Sequence, residues 1–433
     1  MKILHISAQR PDSTGSGVYL SSIVWEATKK NYEQALIVGL TKGERVSFPD
    51  VQIFPVYFES DDLNFPIVGM SNVMPYKSTL YCDLTDSMLA KWTAAFRLVV
   101  DEAVERFQPD IILSHHLWLL TVLIKNWHPE IPLIAICHGT GLRQMEFAPN
   151  IGNYVLHNCH KIDKILALTE YQKRQICKSY HYPQNQVFVS GSGYNCDLFH
   201  INRPMEINSI GIIFAGKICA SKGIFSLIRA LDSLKIENIM LTIAGAGSEK
   251  DTTAVMEMCS NSHLNVLFTG NLSQKELAVY FQQNQLFVLS SFFEGLSLVL
   301  IEAIASGMNI VTTDLPGLRD FLGHEFCQSE FISFVPLPAL RTIDSPEVSE
   351  LPSFEINLQN ALLEQINNIA TANIPPEDLV ERTVSSWQWR SLFNKIESQM
   401  KIVLNNPLNA DILLSTRKIL TDIEVSNSFA VDE

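Results

Sequence analysis

Short runs rich in β-branched residues alternate along this chain with longer stretches whose apolar residues recur at helical spacing. In the first half, residues 2–7, 34–39, 51–58, 110–114, 132–137, 164–168 and 186–190 read as strands. Segments 18–30, 78–107, 117–127 and 170–180 read as the helices between them. Strands that alternate with helices predict a parallel sheet with crossover helices. The pattern then restarts. Strands are expected at 209–215, 238–244, 265–269, 286–290 and 309–313, with helices at 222–234, 250–259, 274–283 and 298–306.

The expected fold is therefore α/β, with two Rossmann-like doubly wound domains facing each other across a cleft. Their boundaries are read as 1–200 and 201–384, joined by the polar stretch 197–208 around Pro204. Residues 331–353 break the pattern with Pro336, Pro338, Pro346 and Pro352, and read as a surface insertion rather than core. Helices are expected at 355–370 and 385–404, the second beginning near Trp387 and Trp389, followed by a weakly patterned extension over 405–433. In open α/β sheets, ligands bind beyond the C-terminal ends of the strands, so the chemistry is expected in the cleft.

Composition narrows the partners. Lysine and arginine total 32 against 46 aspartate and glutamate, a net charge of −14, which argues against nucleic acid as a partner. No apolar run reaches the roughly 20 residues of a membrane span, and residues 1–7 enter a strand without the features of a signal peptide. The eight cysteines form no C-x-x-C pair and read as free thiols. A cytoplasmic protein is the expectation.

Three segments carry candidate chemistry. Gly15 and Gly17 lie too far beyond the first strand for a dinucleotide fingerprint, so they read as a glycine-bearing loop before a helix N-terminus at Val18. Gly216 and Lys217, followed by Lys222 and Gly223, place two cations after the strand at 209–215. In isolation these are solvated surface lysines; beside a helix N-terminus they could hold a pyrophosphate. The third segment is Glu294, Gly295, Leu296, Ser297, Leu298 and onward to Glu302 and Gly307. Ser297 can cap a helix there and Gly307 can end it. Glu302 is the one charged residue between Leu298 and Ile304, and an acid in an apolar helix requires a partner: ligand hydroxyls or a structural Lys or Arg.

The run from Glu294 to Gly307 resembles the E-x7-E signature of retaining glycosyltransferases of GT-B fold, the group that includes sucrose synthase and bacterial mannosyltransferases. Further resembling positions follow in family order: Gly15 to Gly17, His138 to Thr140, Gly193 to Phe199, Gly216 with Lys217, Lys222 with Gly223, Gly245 with Gly247, and Thr313 to Gly317. The resemblance implies a hexosyltransferase that takes a UDP- or GDP-linked sugar as donor, with retention by front-face attack. It further implies that Glu294 holds sugar hydroxyls, that Glu302 holds the ribose, and that Lys217 and Lys222 bind the diphosphate. The N–H groups from Gly295 to Leu298 would stabilise the leaving group, and His138 would position the sugar. The helix at 385–404 would cross back to the first domain.

No D-x-D occurs, so no metal or other cofactor is expected. His115, His116 and His138 lack a carboxylate or thiol spacing that would complete a metal site. The chain departs from the family at Lys217, often Arg, at Ser192 to Asn195, often N-G-V-D, and at Ser297, usually Gly or Pro. Those departures keep two alternatives open: a weakly catalytic subunit that supports a partner transferase, and a GT-B phosphorylase or epimerase. Acceptor contacts are expected from loops 64–78 and 141–150; sugar, acceptor and oligomeric state are not specified, and peripheral attachment at the inner membrane face remains compatible with one basic patch.

Overall fold

The computed structural model describes residues 1–11, 14–71, 74–202 and 209–406. The region around Pro204 and nearly all of the extension at 405–433 lie outside these described residues.

Two parallel sheets form the frame. The first contains β1 (Lys2–Ser7), β2 (Glu33–Thr41), β3 (Val51–Phe58), β4 (Ile111–His115), β5 (Leu133–Cys137), β6 (Lys164–Ala167) and β7 (Val187–Val189), in the order β3-β2-β1-β4-β5-β6-β7. The second contains β8 (Ile210–Ala215), β9 (Ile239–Ala244), β10 (Asn265–Gly270), β11 (Leu286–Leu289), β12 (Asn309–Thr313) and β13 (Ile332–Val335), in the order β10-β9-β8-β11-β12-β13. Both orders reverse direction beside their first strand, between β1 and β4 and between β8 and β11. Such a reversal opens a crevice where the loops part to opposite faces of the sheet. Helices cover both faces, which is why β4, β5, β11 and β12 are buried along their whole length.

The structure corrects four expectations. The helix expected over 78–107 begins only at Asp86, where the Thr85 hydroxyl accepts from the Met88 N–H and caps it. Segment 141–150 is helical rather than a loop, divided between Thr140–Phe147 and Pro149–Asn158. Residues 331–353 are not a surface insertion: Ile332–Val335 is the outer strand of the second sheet, and a hairpin of Leu340–Thr342 with Ser345–Pro346 follows it. The expected single helix at 385–404 is a turn at Ser385–Trp387, an extended Gln388, and a helix at Trp389–Leu404.

That last helix packs against the first sheet. Trp389, Leu392, Phe393, Ile396, Met400 and Val403 are buried among Ile3, Tyr19, Ile23 and Ile111. On its rim the Glu397 carboxylate accepts from Lys30 Nζ at 2.7 Å and from the Tyr32 hydroxyl. At the crossing, the Tyr194 N–H donates to the Trp387 carbonyl at 3.0 Å and the Trp389 N–H donates back to Tyr194 at 3.3 Å. The two sheets are thus tied both by the linker and by the returning chain. Ile396→Ala should lower the unfolding free energy by about 2–5 kcal/mol, the usual loss for a fully buried Ile. A denaturant titration showing a change within ~0.5 kcal/mol, typical of a surface site, would mean that the helix is not docked.

Candidate functional site

The two switch points meet. The loops after β1, β4, β8 and β11 enclose a cavity of about 310 Å³ between the sheets. From the first sheet it is lined by residues including Gly15, Tyr19, His116, His138 and Ser192; from the second, by Gly216, Lys217, Lys222 and the run Glu294 to Leu298.

The close approach depends on a pair of glycines. Gly139 holds φ +88°, which a side-chain-bearing residue rarely adopts, and a Cβ on it would stand 2.8 Å from the Gly295 Cα. A Cβ on Gly295 would lie 2.3 Å from the His138 carbonyl oxygen. Backbone therefore meets backbone at the end of β5.

Ser297 caps the helix Leu298–Ala305, its hydroxyl accepting from the Leu300 N–H. The first turn of that helix lies at the cavity with Leu298 among its lining residues, and unpaired N–H groups there favour an anion. Lys222 Nζ stands 2.6 Å from Glu294 Oε1, which also accepts from the Ser291 hydroxyl at 2.8 Å. Lys217 Nζ reaches across the cleft to the Ser71 hydroxyl at 3.2 Å. Burial, with the nearby Lys222 charge second, brings its pKa down to about 8. Desolvated and close to a second cation, this ammonium gains from an added anion.

The histidines gather on the opposite wall. His115 Nδ1 and His138 Nε2 lie 3.2 Å apart with the rings stacked, and His116 Nδ1 lies 2.9 Å from the Thr140 hydroxyl. Burial lowers the pKa of His138 and His115 well below the ordinary value and that of His116 to about 3, so all three are neutral near pH 7. His116 holds φ 76°, a strained backbone state that recurs at functional sites. No group of three His, Cys, Asp or Glu that could hold a metal ion occurs among the described residues.

Not every residue singled out from the sequence lines the cavity. The first helix begins at Gly15 rather than Val18, and the Gly17 N–H is taken by the Thr14 hydroxyl that caps it. Gly245 lies behind the cavity wall: at φ +139°, a Cβ there would fall 1.9 Å from the Gly216 carbonyl, so its glycine lets β8 and β9 end side by side. Glu302 is fully buried beneath the helix it belongs to, and neither carboxyl oxygen has a hydrogen-bond partner. Gln274 lies near enough to oppose the shift, but burial outweighs it and pushes the Glu302 pKa up to about 8.

Sequence patterning missed a second charged pair. Arg143, on the helix after β5, donates from Nε to Asp344 Oδ2 at 3.0 Å, and Asp344 lies in the tight connection of the hairpin after β13. Both line the cavity and both are buried. They are 201 positions apart in sequence, and neither belongs to a motif, so only the fold reveals the pair.

Two doubly wound sheets that share one cleft at their switch points make this a GT-B fold. Residues 206–333 match the family described as Glycosyl transferases group 1, and residues 82–198 match that described as Glycosyltransferase Family 4, so each half of the chain contains a match to a glycosyltransferase family. An uncharacterized glycosyltransferase of Methanocaldococcus jannaschii is 29% identical over 175 residues, 37% of this chain and 45% of that relative. The chain spans less than half the length of the first curated relatives it matches. Sucrose-phosphate synthase from Thermosynechococcus elongatus shares the fold with a TM-score of 0.71 at 15% identity, over 93% of this chain and 99% of that one. HepE of Anabaena, solved in complex with UDP-glucose, gives a TM-score of 0.63 at 15% identity over 93% and 99%. No helix among the described residues is long and apolar enough to cross a membrane.

The state of Glu302 is testable in the ligand-free chain. A carboxyl whose folded pKa is raised contributes stability that is complete below about pH 4.5 and lost as pH rises through about 8. Wild type should therefore lose stability relative to Glu302→Gln between about pH 4.5 and 8, by up to ~1.4 kcal/mol per pH unit. Parallel stability curves from denaturant titrations would show a solvated carboxyl.

Proposed function

We propose that this chain is a retaining glycosyltransferase that moves a sugar from a UDP- or GDP-linked donor to a hydroxyl acceptor without a metal ion. The observation that carries this reading is the convergence of Lys217, Lys222 and the N-terminus of helix Leu298–Ala305 on one cavity. A diphosphate leaves with developing negative charge. Fixed cations and backbone N–H groups in a site shielded from water stabilise such charge without reorganising.

In this reading Lys217 and Lys222 hold the diphosphate, together with the N–H groups of Gly295 to Leu298. Glu294, already oriented by Lys222 and Ser291, accepts hydrogen bonds from hydroxyls of the transferred sugar. Neutral His138 positions the same sugar from the other wall. Glu302 is assigned to the ribose, whose vicinal hydroxyls would satisfy its two unpartnered carboxyl oxygens; because the side chain stands behind the cavity wall, this assignment requires it to turn toward the cavity when the donor binds. The acceptor oxygen attacks on the face the diphosphate leaves, and a diphosphate oxygen takes its proton. HepE binds a nucleotide sugar in the same fold, which favours UDP-glucose as the first donor to try. A cytoplasmic location, with or without peripheral membrane contact, fits the use of such donors.

Purified protein incubated with a panel of nucleotide sugars should release nucleoside diphosphate equally with and without EDTA, and the product should keep the donor's anomeric configuration by NMR. Loss of release in EDTA would contradict the metal-free chemistry. Donor binding without turnover would favour a supporting subunit, and phosphate-dependent turnover a phosphorylase. Glu294→Ala should lower kcat by about 10²-fold or more, the scale set by loss of one transition-state contact; Glu302→Ala should chiefly raise donor KM. Unchanged steady-state kinetics in both variants would remove this segment from the chemistry.

A further inference from the structure

The two walls of the cavity differ in charge. The second sheet contributes Lys217, Lys222 and Glu294. The first contributes neutral hydrogen-bonding groups: Ser16, Tyr19, His116, His138, Thr140 and Ser192. Among the described lining residues on that side, Arg143 is the charged one, and the Asp344 carboxylate from the opposite side already holds it. Two of the neutral groups stand out further. The Ser192 hydroxyl is buried and lacks a hydrogen-bond partner, and the buried Tyr19 hydroxyl makes no bond of good geometry, although Ser190 lies near enough to oppose its pKa shift; both residues line the cavity. A buried hydroxyl without a partner has lost water and gained nothing, so a ligand group that pairs with it recovers that loss.

We propose that the acceptor is a neutral, polyhydroxylated molecule of saccharide type, that Tyr19 and Ser192 receive its hydroxyls, and that Asp344 excludes anionic acceptors by holding Arg143. The inference rests on the glycosyltransferase reading and names the substrate of its second half. A phosphate or carboxylate brought against this wall would find its cation already neutralised and the Asp344 charge close by, an arrangement that rejects one partner class through an uncompensated like charge. A neutral hydroxyl meets no such penalty. Both hydroxyls can donate or accept, which suits a hydroxyl that does the same, and burial raises the Tyr19 pKa, keeping its proton in place. The transfer itself balances as one exchange. The bond from the sugar's anomeric carbon to the diphosphate oxygen breaks with its electron pair leaving on the diphosphate. A bond from the acceptor oxygen to that carbon forms, and the acceptor proton passes to the diphosphate.

The test uses the full chain with UDP-glucose, or whichever nucleotide sugar binds best by calorimetry. Its acceptors are neutral methyl glycosides and myo-inositol in one arm, and hexose 6-phosphates and glucuronate in the other. Product formation by mass spectrometry is expected in the neutral arm, with at least a tenfold preference in kcat/KM. Tyr19→Phe and Ser192→Ala should each raise acceptor KM about threefold or more while changing donor KM less, and thermal unfolding checks that they fold. Asp344→Asn should gain turnover of the hexose phosphates. Preference for the charged arm, transfer to no neutral member, or unchanged acceptor KM in both hydroxyl variants overturns the proposal. Calorimetry keeps the two levels apart: absence of donor binding would sink the donor reading instead, whatever the acceptor results.

Discussion

The site depends on one steric constraint, the contact of two backbones across the cleft. Gly139 and Gly295 face each other where β5 ends and the loop before helix Leu298–Ala305 begins, and neither position leaves room for a Cβ. Because the chain can come this close, the capped helix N-terminus is brought over His138 instead of pointing into solvent. The Lys217 contact to Ser71 and the Arg143 pair with Asp344 span the same cleft from other directions. The helix Trp389–Leu404, buried against the first sheet, keeps the two halves in that relation. Burial of its apolar face contributes far more to this than the exposed ion pair between Arg174 and Asp320, since surface pairs are worth about 0–1 kcal/mol.

Electrostatics then divide the labour within the cavity. Three cations, Arg143, Lys217 and Lys222, face two carboxylates, Glu294 and Asp344, an excess of one positive charge. The pairs Lys222–Glu294 and Arg143–Asp344 bring each carboxylate against a cation, while burial and the nearby Lys222 charge lower the Lys217 pKa. On the histidine side the only lining charge among the described residues is Arg143, held by Asp344, because burial keeps His116 and His138 neutral. A site built this way stabilises negative charge on one wall while offering the other wall's hydrogen bonds to neutral groups.

Much of the frame was legible in the sequence, because a parallel sheet covered on both faces writes itself as short continuous apolar runs. The strands at Lys2–Ser7 and Asn309–Thr313 follow from that pattern residue for residue, and the half-exposed edge strand Val51–Phe58 is also found with its expected bounds. What stayed hidden has physical reasons. Ile332–Val335 is a short outer strand followed by proline-rich chain, so its surroundings read as a surface insertion. The helix at Thr140–Phe147 lacks a side-chain cap, which removes the signal of its start. Of the residues singled out, Lys217, Lys222, Glu294 to Leu298, His138 and Gly15 do line one cavity, whereas Gly17, Gly245 and Glu302 stand behind its wall. Spacing along a chain locates a loop; it does not say which N–H is already taken by a cap or which carboxyl is turned inward. Arg143, Asp344, Tyr19 and Ser192 came only from the fold, since each acquires its meaning from a neighbour distant in sequence.

The central claim is that the cation pair and the helix N-terminus form a diphosphate site. A crystal structure of the chain grown with UDP-glucose tests it most directly. The account predicts diphosphate oxygens within hydrogen-bond distance of Lys217 Nζ, Lys222 Nζ and at least one N–H between Gly295 and Leu298. A nucleotide bound elsewhere, or a diphosphate bridged to the protein through a metal ion, would contradict it.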